Sequence, residues 1–133
     1  VGTVPLGVHA HPAYLAGRPL PTSFADLTDH RIIGPEQDSP MLRAVQAAGF
    51  PVRLTDIGFR SESDHAQLAA IRAGLGVGIC QVPIGTRDGL VRLLPEFEMG
   101  LETWIVCHED LRGMARVRAV FDALVEGLGD YLG

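Results

Sequence analysis

Four consecutive side chains, Ser61 to Asp64, offer oxygens to their surroundings, and His65 follows them directly. Hydroxyls and carboxylates in this order suit one task above others, accepting hydrogen bonds from the free first-turn amides of a helix. The same edge can hold a small ligand, and for Ser63 capping and ligand contact coexist. Asp64 brings a negative charge to the helix end, where it complements the helix dipole and disfavours an anion. Asp64 and His65 are an acid beside an imidazole, but no nucleophile elbow or reactive cysteine stands with them, so His65 reads as a solvent-facing first-turn residue. The chain has no Lys among its eleven basic residues, which excludes a P-loop lysine, a Schiff-base lysine and a pyridoxal-phosphate anchor. The residues imply no catalytic group, no metal and no cofactor.

The remaining chemistry-bearing residues have quieter readings. His9 and His11 lie two apart on one strand face, yet no third ligand accompanies them, so they read as a strand end meeting solvent. Cys80 and Cys107 fall in apolar strand segments and read as small buried hydrophobes, unspaced for a metal and consistent with a reducing compartment. The glycine run Gly74-Leu75-Gly76-Val77-Gly78 follows a helix and precedes a strand, the reverse of a dinucleotide loop.

At 133 residues, with a net charge of −5 and a pI near 5.4, the chain is one domain's worth. It lacks the clustered positive charge that phosphate backbones demand. Its apolar segments are far shorter than the ~20 residues of a membrane span, and no secretion signal opens it, so a soluble cytoplasmic protein is expected. The first residue is Val, which fits a segment of a longer protein.

The elements that must position the serines follow from periodicity. Ile57 and Phe59 alternate as a strand, Ser61 to Asp64 starts a helix with Leu68, Ile71 and Leu75 on one face, and Val77 to Val82 forms the next strand. In chain order, a strand over Val4–Ala10 precedes a helical turn over Pro12–Ala16. A short helix at Phe24–Leu27 follows the Ser23-x-x-Asp26 signal, then a strand at Arg31–Ile33. Ser39-Pro40 opens a helix that Gly49 stops. Residues 84–89 read as a loop, Leu90–Leu93 as a short strand, and Glu102–His108 as the strongest late strand. An amphipathic helix carries Val117, Val120, Phe121, Leu124 and Leu128 on one stripe and frays at Gly127 and Gly129.

Taken together, HAHPAYLA, FADLTDHRIIG, SESDHAQLAAIRAGLGVGICQVP, GLVRLLPE, ETWIVCHED and RVRAVFDALVEGL, in this order, resemble the effector-binding region of LysR-type transcriptional regulators. The resemblance implies an α/β, type 2 periplasmic-binding-protein-like fold. It further implies one complete lobe, about residues 6–107 with its two crossing strands, whose parallel or mixed sheet is flanked by helices. Residues 108–133 would supply the terminal helix belonging to the other lobe. It implies a small-molecule effector held between lobes, with contacts on this lobe from Gly34, Pro35, Ser61, Ser63, Asp64, Gln81, Val82 and Pro83. It also implies self-association as a dimer or tetramer, and DNA binding only through a winged helix-turn-helix that this chain lacks. A solute-binding protein of periplasmic type shares the fold and is the alternative.

Overall fold

The computed structural model describes residues 1–132. The chain divides into two compact units, one of residues 5–99 and one made of residues 1–4 with residues 100 onward.

The larger unit is built on a mixed sheet. The long first strand, β1 (Gly2–Ala10), leads to a one-turn helix, α1 (Pro12–Leu15), capped by the His11 ring, whose Nδ1 accepts from Ala13 N at 3.0 Å. After a 3-10 turn at Phe24–Asp29 come β2 (Ile32–Gly34) and α2 (Pro40–Ala47). Then β3 (Ile57–Arg60), α3 (Asp64–Arg72), β4 (Val77–Gln81), α4 (Val82–Arg87) and β5 (Val91–Leu93) complete the unit. The strand order is β3-β2-β4-β1-β5. The strands β3, β2 and β4 are parallel, while β1 is antiparallel to both β4 and β5. The central β2 is buried at all three residues, as a parallel strand covered on both faces must be.

Period-two alternation along β1 sends Val8 and Ala10 to one face of the sheet and Gly7 and His9 to the other. On the first face Val8, Ala10, Ile32, Ile57 and Val77 pack with Tyr14, Leu15, Leu27, Leu42, Val45 and Phe50. The Phe24, Phe50 and Phe97 rings meet there with centroids 4.9 to 5.9 Å apart, the separation that offset and edge-on aromatic pairs favour. The second face carries Ile33, Cys80 and Leu90 against Ala70 and Ile71 of α3. Both long helices of this unit begin as the serines dictate. Ser39 Oγ accepts from Leu42 N, and Ser63 Oγ accepts from Ala66 N. Gly74, at φ 75°, lets the chain turn away from α3.

In the smaller unit β6 (Met99–Thr103) pairs with β1, and α5 (Ala115–Leu132) follows.

Five sequence expectations are corrected. Residues 84–89 are not a loop, since α4 continues to Arg87. Proline fits the first turn of that helix, and the weak helix formers Gly85 and Thr86 masked it. The late strand lies earlier than its alternation suggested, at Met99–Thr103. Residues 104–108 carry the alternation but lack a strand partner among the described residues. Cys107 is therefore exposed rather than buried. His9, read as solvent-facing, is buried to 1% exposure. Finally, α5 does not fray at its glycines but runs through Gly127 and Gly129 to Leu132.

Ile71 is fully buried where α3 meets the sheet, touching the backbone side of Gly78. Ile71→Ala leaves a cavity at that contact and is expected to lower unfolding free energy by about 2–5 kcal/mol, read as an earlier urea midpoint with an unchanged slope.

Candidate functional site

Parallel strands end on the same edge of a sheet. Gly34, Arg60 and Gln81 close β2, β3 and β4, so the segments at 34–35, 61–64 and 81–83, the last of them passing directly into α4, all leave from one rim. The register places Gly34 opposite Arg60, and Ser61 N donates to Gly34 O at 2.9 Å. The first two loops are thus in direct contact. Open α/β sheets commonly hold ligands at such carboxyl edges.

Each expected residue has a definite place there. Gly34 is buried as the last residue of β2, and Pro35 is half-buried beyond it. Ser61 is half-buried, and its Oγ accepts from Ser63 N at 3.1 Å while its carbonyl accepts from Gln67 Nε2 at 2.7 Å. Ser63 is exposed and serves as the α3 cap, with Oγ 3.2 Å from Ala66 N. Both hydroxyls keep their own hydrogens as donors, because each accepts a bond from a backbone amide. Asp64 is exposed in the first turn of α3, where its charge suits the helix dipole. Gln81, Val82 and Pro83 are half-buried at the junction of β4 with α4.

Sequence reasoning missed Glu62. Its Oε1 accepts from two successive amides, Glu36 N at 2.6 Å and Gln37 N at 2.8 Å, so one carboxylate ties the loop after β2 to the turn after β3. A residue separated by about 25 positions from its partners leaves no periodic trace in a sequence. Its only signal is an acid placed between two serines, the second of which caps α3. This carboxylate also occupies amides that would otherwise receive an anion.

The neighbouring chemistry is inert. Burial pushes the Cys80 thiol up to about 11, so it is not a thiolate at neutral pH. Asp88, just past α4, is held below the usual carboxylate range by Arg72 of α3, at 2.6 Å. No cluster of three metal-ligating side chains exists among the described residues. No helix among them is long and apolar enough to cross a membrane.

In the smaller unit, Ile105, Val106 and Cys107 face Val117, Val120, Phe121 and Leu124 of α5 across an open apolar groove of about 400 Å³. Trp104 and Val106 are 74% and 84% exposed, and α5 has no buried residue.

Glu62→Ala removes the carboxylate link between the two rim loops, leaving the Ser61 N to Gly34 O bond and the caps in place. The amide hydrogens of Glu36 and Gln37 are expected to exchange roughly tenfold faster in this variant, as loss of a charge-assisted bond implies. An unchanged exchange rate would remove Glu62 from the rim's framework.

Comparison with known proteins adds the lineage. Residues 1–129 match the model of the LysR substrate binding domain. The regulatory domain of CrgA, a LysR-type transcriptional regulator from Neisseria meningitidis, superposes with a TM-score of 0.72 at 22% identity, over 100% of this chain and 66% of that one. A longer CrgA structure gives 0.74 at 24% identity, over 97% of this chain and 46% of that one. The effector domain of the transcriptional regulator AmpR of Pseudomonas aeruginosa gives 0.61 at 23% identity, over 97% and 66%. A search of curated proteins finds no match. At these identities the structural likeness speaks to the fold, a periplasmic-binding-protein-like one, and the chain spans no more than about two thirds of these relatives. The match to the domain model over nearly the whole length identifies this chain as a member of the LysR substrate-binding domain family.

Proposed function

We propose that this chain is the ligand-sensing part of a LysR-type transcriptional regulator. It binds a small polar effector at the rim formed by Gly34, Pro35, Ser61, Ser63, Asp64, Gln81, Val82 and Pro83. The observation that carries this reading is the shared edge, with β2, β3 and β4 parallel and the segments after β2 and β3 laced together by Ser61 and Glu62. In this reading residues of about 6–107 are one lobe with its crossing strands, and residues 108–133 carry a helix that belongs to the other. The effector lies between the lobes and shifts their relative position. That shift alters how a cytoplasmic dimer or tetramer of the parent protein holds DNA through its winged helix-turn-helix. The chain has no catalytic role. Because Glu62 already fills the amides of Glu36 and Gln37, recognition on this lobe runs through the serine hydroxyls, which favours a ligand with polar acceptors over one that needs a free amide nest.

The test is a thermal-shift screen of amino acids and carboxylic acids on the full-length regulator, repeated with Ser63→Gly. Glycine keeps most of the capping, within a few tenths of a kcal/mol of serine, while removing the hydroxyl. A ligand at about 100 times its Kd stabilises by about 2.7 kcal/mol, and this gain is expected to shrink in the variant. An undiminished gain would take Ser63 off the list of contacts.

The apolar groove and the exposed Val120, Leu124 and Val125 of α5 support self-association of the 133-residue chain through this face. Light scattering is expected to report a species larger than a monomer, and Val120→Glu with Leu124→Glu is expected to reduce it to one. A monodisperse wild-type monomer would count against this part.

A further inference from the structure

His9 occupies a position that favours the neutral imidazole over the charged form. It is 1% exposed, and its Nδ1 lies 2.8 Å from Gly7 O. A carbonyl only accepts, so Nδ1 carries the proton and Nε2 carries the lone pair. A second proton must therefore go to Nε2. That atom faces α4, where a methyl group built on Gly85 would fall 2.5 Å from both Nε2 and Cδ2. The backbone of α4 packs closely against the ring, so an imidazolium there would be largely shielded from solvent.

A permanent cation stands beside it. Arg92 of β5 is the cross-strand partner of His9. Its Nε is buried without a hydrogen-bond partner and would lie 3.0 Å from a methyl group on Gly7. Its Nη2 reaches Glu98 at 3.1 Å and the carbonyls of Pro95 and Phe97 at 3.4 Å. The other groups on the surrounding elements bring no compensating anion. On β4 the Cys80 thiol stays protonated up to about 11. Beyond α4, Asp88 is committed to Arg72 of α3 and to Arg87, and His11 on the far end of β1 caps α1.

We propose that His9 is a proton-triggered release for α4, in which protonation at Nε2 beside Arg92 lifts the helix off the sheet and shifts the Val82–Pro83 corner of the rim. The consequence for ligand binding rests on the function proposed above. The release itself does not.

The sign follows from the ring's surroundings. Burial is the main influence lowering its pKa below the usual 6.5, partly opposed by the Gly7 carbonyl and reinforced by Arg92. A form with α4 lifted would let the ring recover an ordinary histidine pKa. The closed helix is thus fully favoured above about pH 6.5, and opening gains up to about thirtyfold by pH 5.

The experiment is hydrogen exchange on the unliganded chain at pH 7.5 and 5.0, corrected for intrinsic rates. It follows the amides of Asp88, Gly89 and Leu90, which donate to the carbonyls of Ile84, Thr86 and Gly85 in that order, against Ala73 and Gly74 at the end of α3. Protection in the first group is expected to fall about tenfold or more while the α3 pair changes much less. His9→Gln is expected to abolish the difference, and Arg92→Gln to reduce it. Equal losses in both groups, no loss at pH 5.0, or a loss that persists in His9→Gln would overturn the proposal. Should His9→Gln fail to fold, NMR titration of the His9 ring in the unaltered chain decides. Proton uptake tracking the loss of α4 protection supports it, and a ring that never titrates overturns it. No effector is present in this measurement, so its failure leaves the rim's ligand-binding role standing, and failure of the ligand screen leaves the release standing.

Discussion

The position of β2 governs the rest of the structure. It lies between β3 and β4, parallel to both, with all three of its residues buried. A parallel strand covered on both faces needs apolar side chains pointing each way, and Ile32 and Ile33 meet that need on opposite sides of the sheet. Parallel pairing then forces three chain segments to leave the sheet at the same edge. Nothing about the loops themselves brings them together. Their meeting is a consequence of strand direction, and the polar side chains at the rim exploit a geometry set by two isoleucines.

What was legible in the sequence divides along the same line. The serine caps of α2 and α3 could be read because capping is local, with donor and acceptor three residues apart. The strands Ile57–Phe59 and Val77 onward could be read because burial imposes alternation or a short apolar run. The insertion of β2 between β3 and β4 could not, since neighbouring strands are chosen by long-range pairing that leaves no mark on spacing. Glu62 escaped for the same reason, its partners lying some 25 positions upstream. The short α4 hid behind Gly85, and Gly85 is the residue that lets that helix approach His9. A glycine required for close packing lowers helix propensity at the point where a helix is needed. Propensity and tertiary need therefore pulled in opposite directions.

Residues 104–108 show how alternation and strand formation separate. Trp104, Val106 and His108 alternate with Ile105 and Cys107, which is all that a sequence can present. A strand also needs backbone donors and acceptors on a neighbouring chain. The described residues supply that partner to Met99–Thr103, through β1, and not to the next five. The pattern records a preference for a sheet environment that residues 104–108 do not receive among the described residues.

The terminal helix extends that reasoning. An 18-residue helix without one fully buried side chain draws little on the tertiary packing from which most helical stability comes. Its stripe of Val117, Val120, Phe121 and Leu124 faces the same open groove as Ile105 to Cys107. Two adjacent segments thus carry apolar patterning whose physical justification, burial, is met only in part, with Ile105, Val117 and Phe121 half-buried and Val106, Val120 and Leu124 exposed. Removing such a stripe from water contributes roughly 25 cal/mol for each Å² covered, so covering it would stabilise the smaller unit. The larger unit, with cores on both faces of its sheet, has no comparable deficit. The stability of the larger unit rests on its own packing, whereas the smaller unit leaves much of the apolar surface of α5 in water.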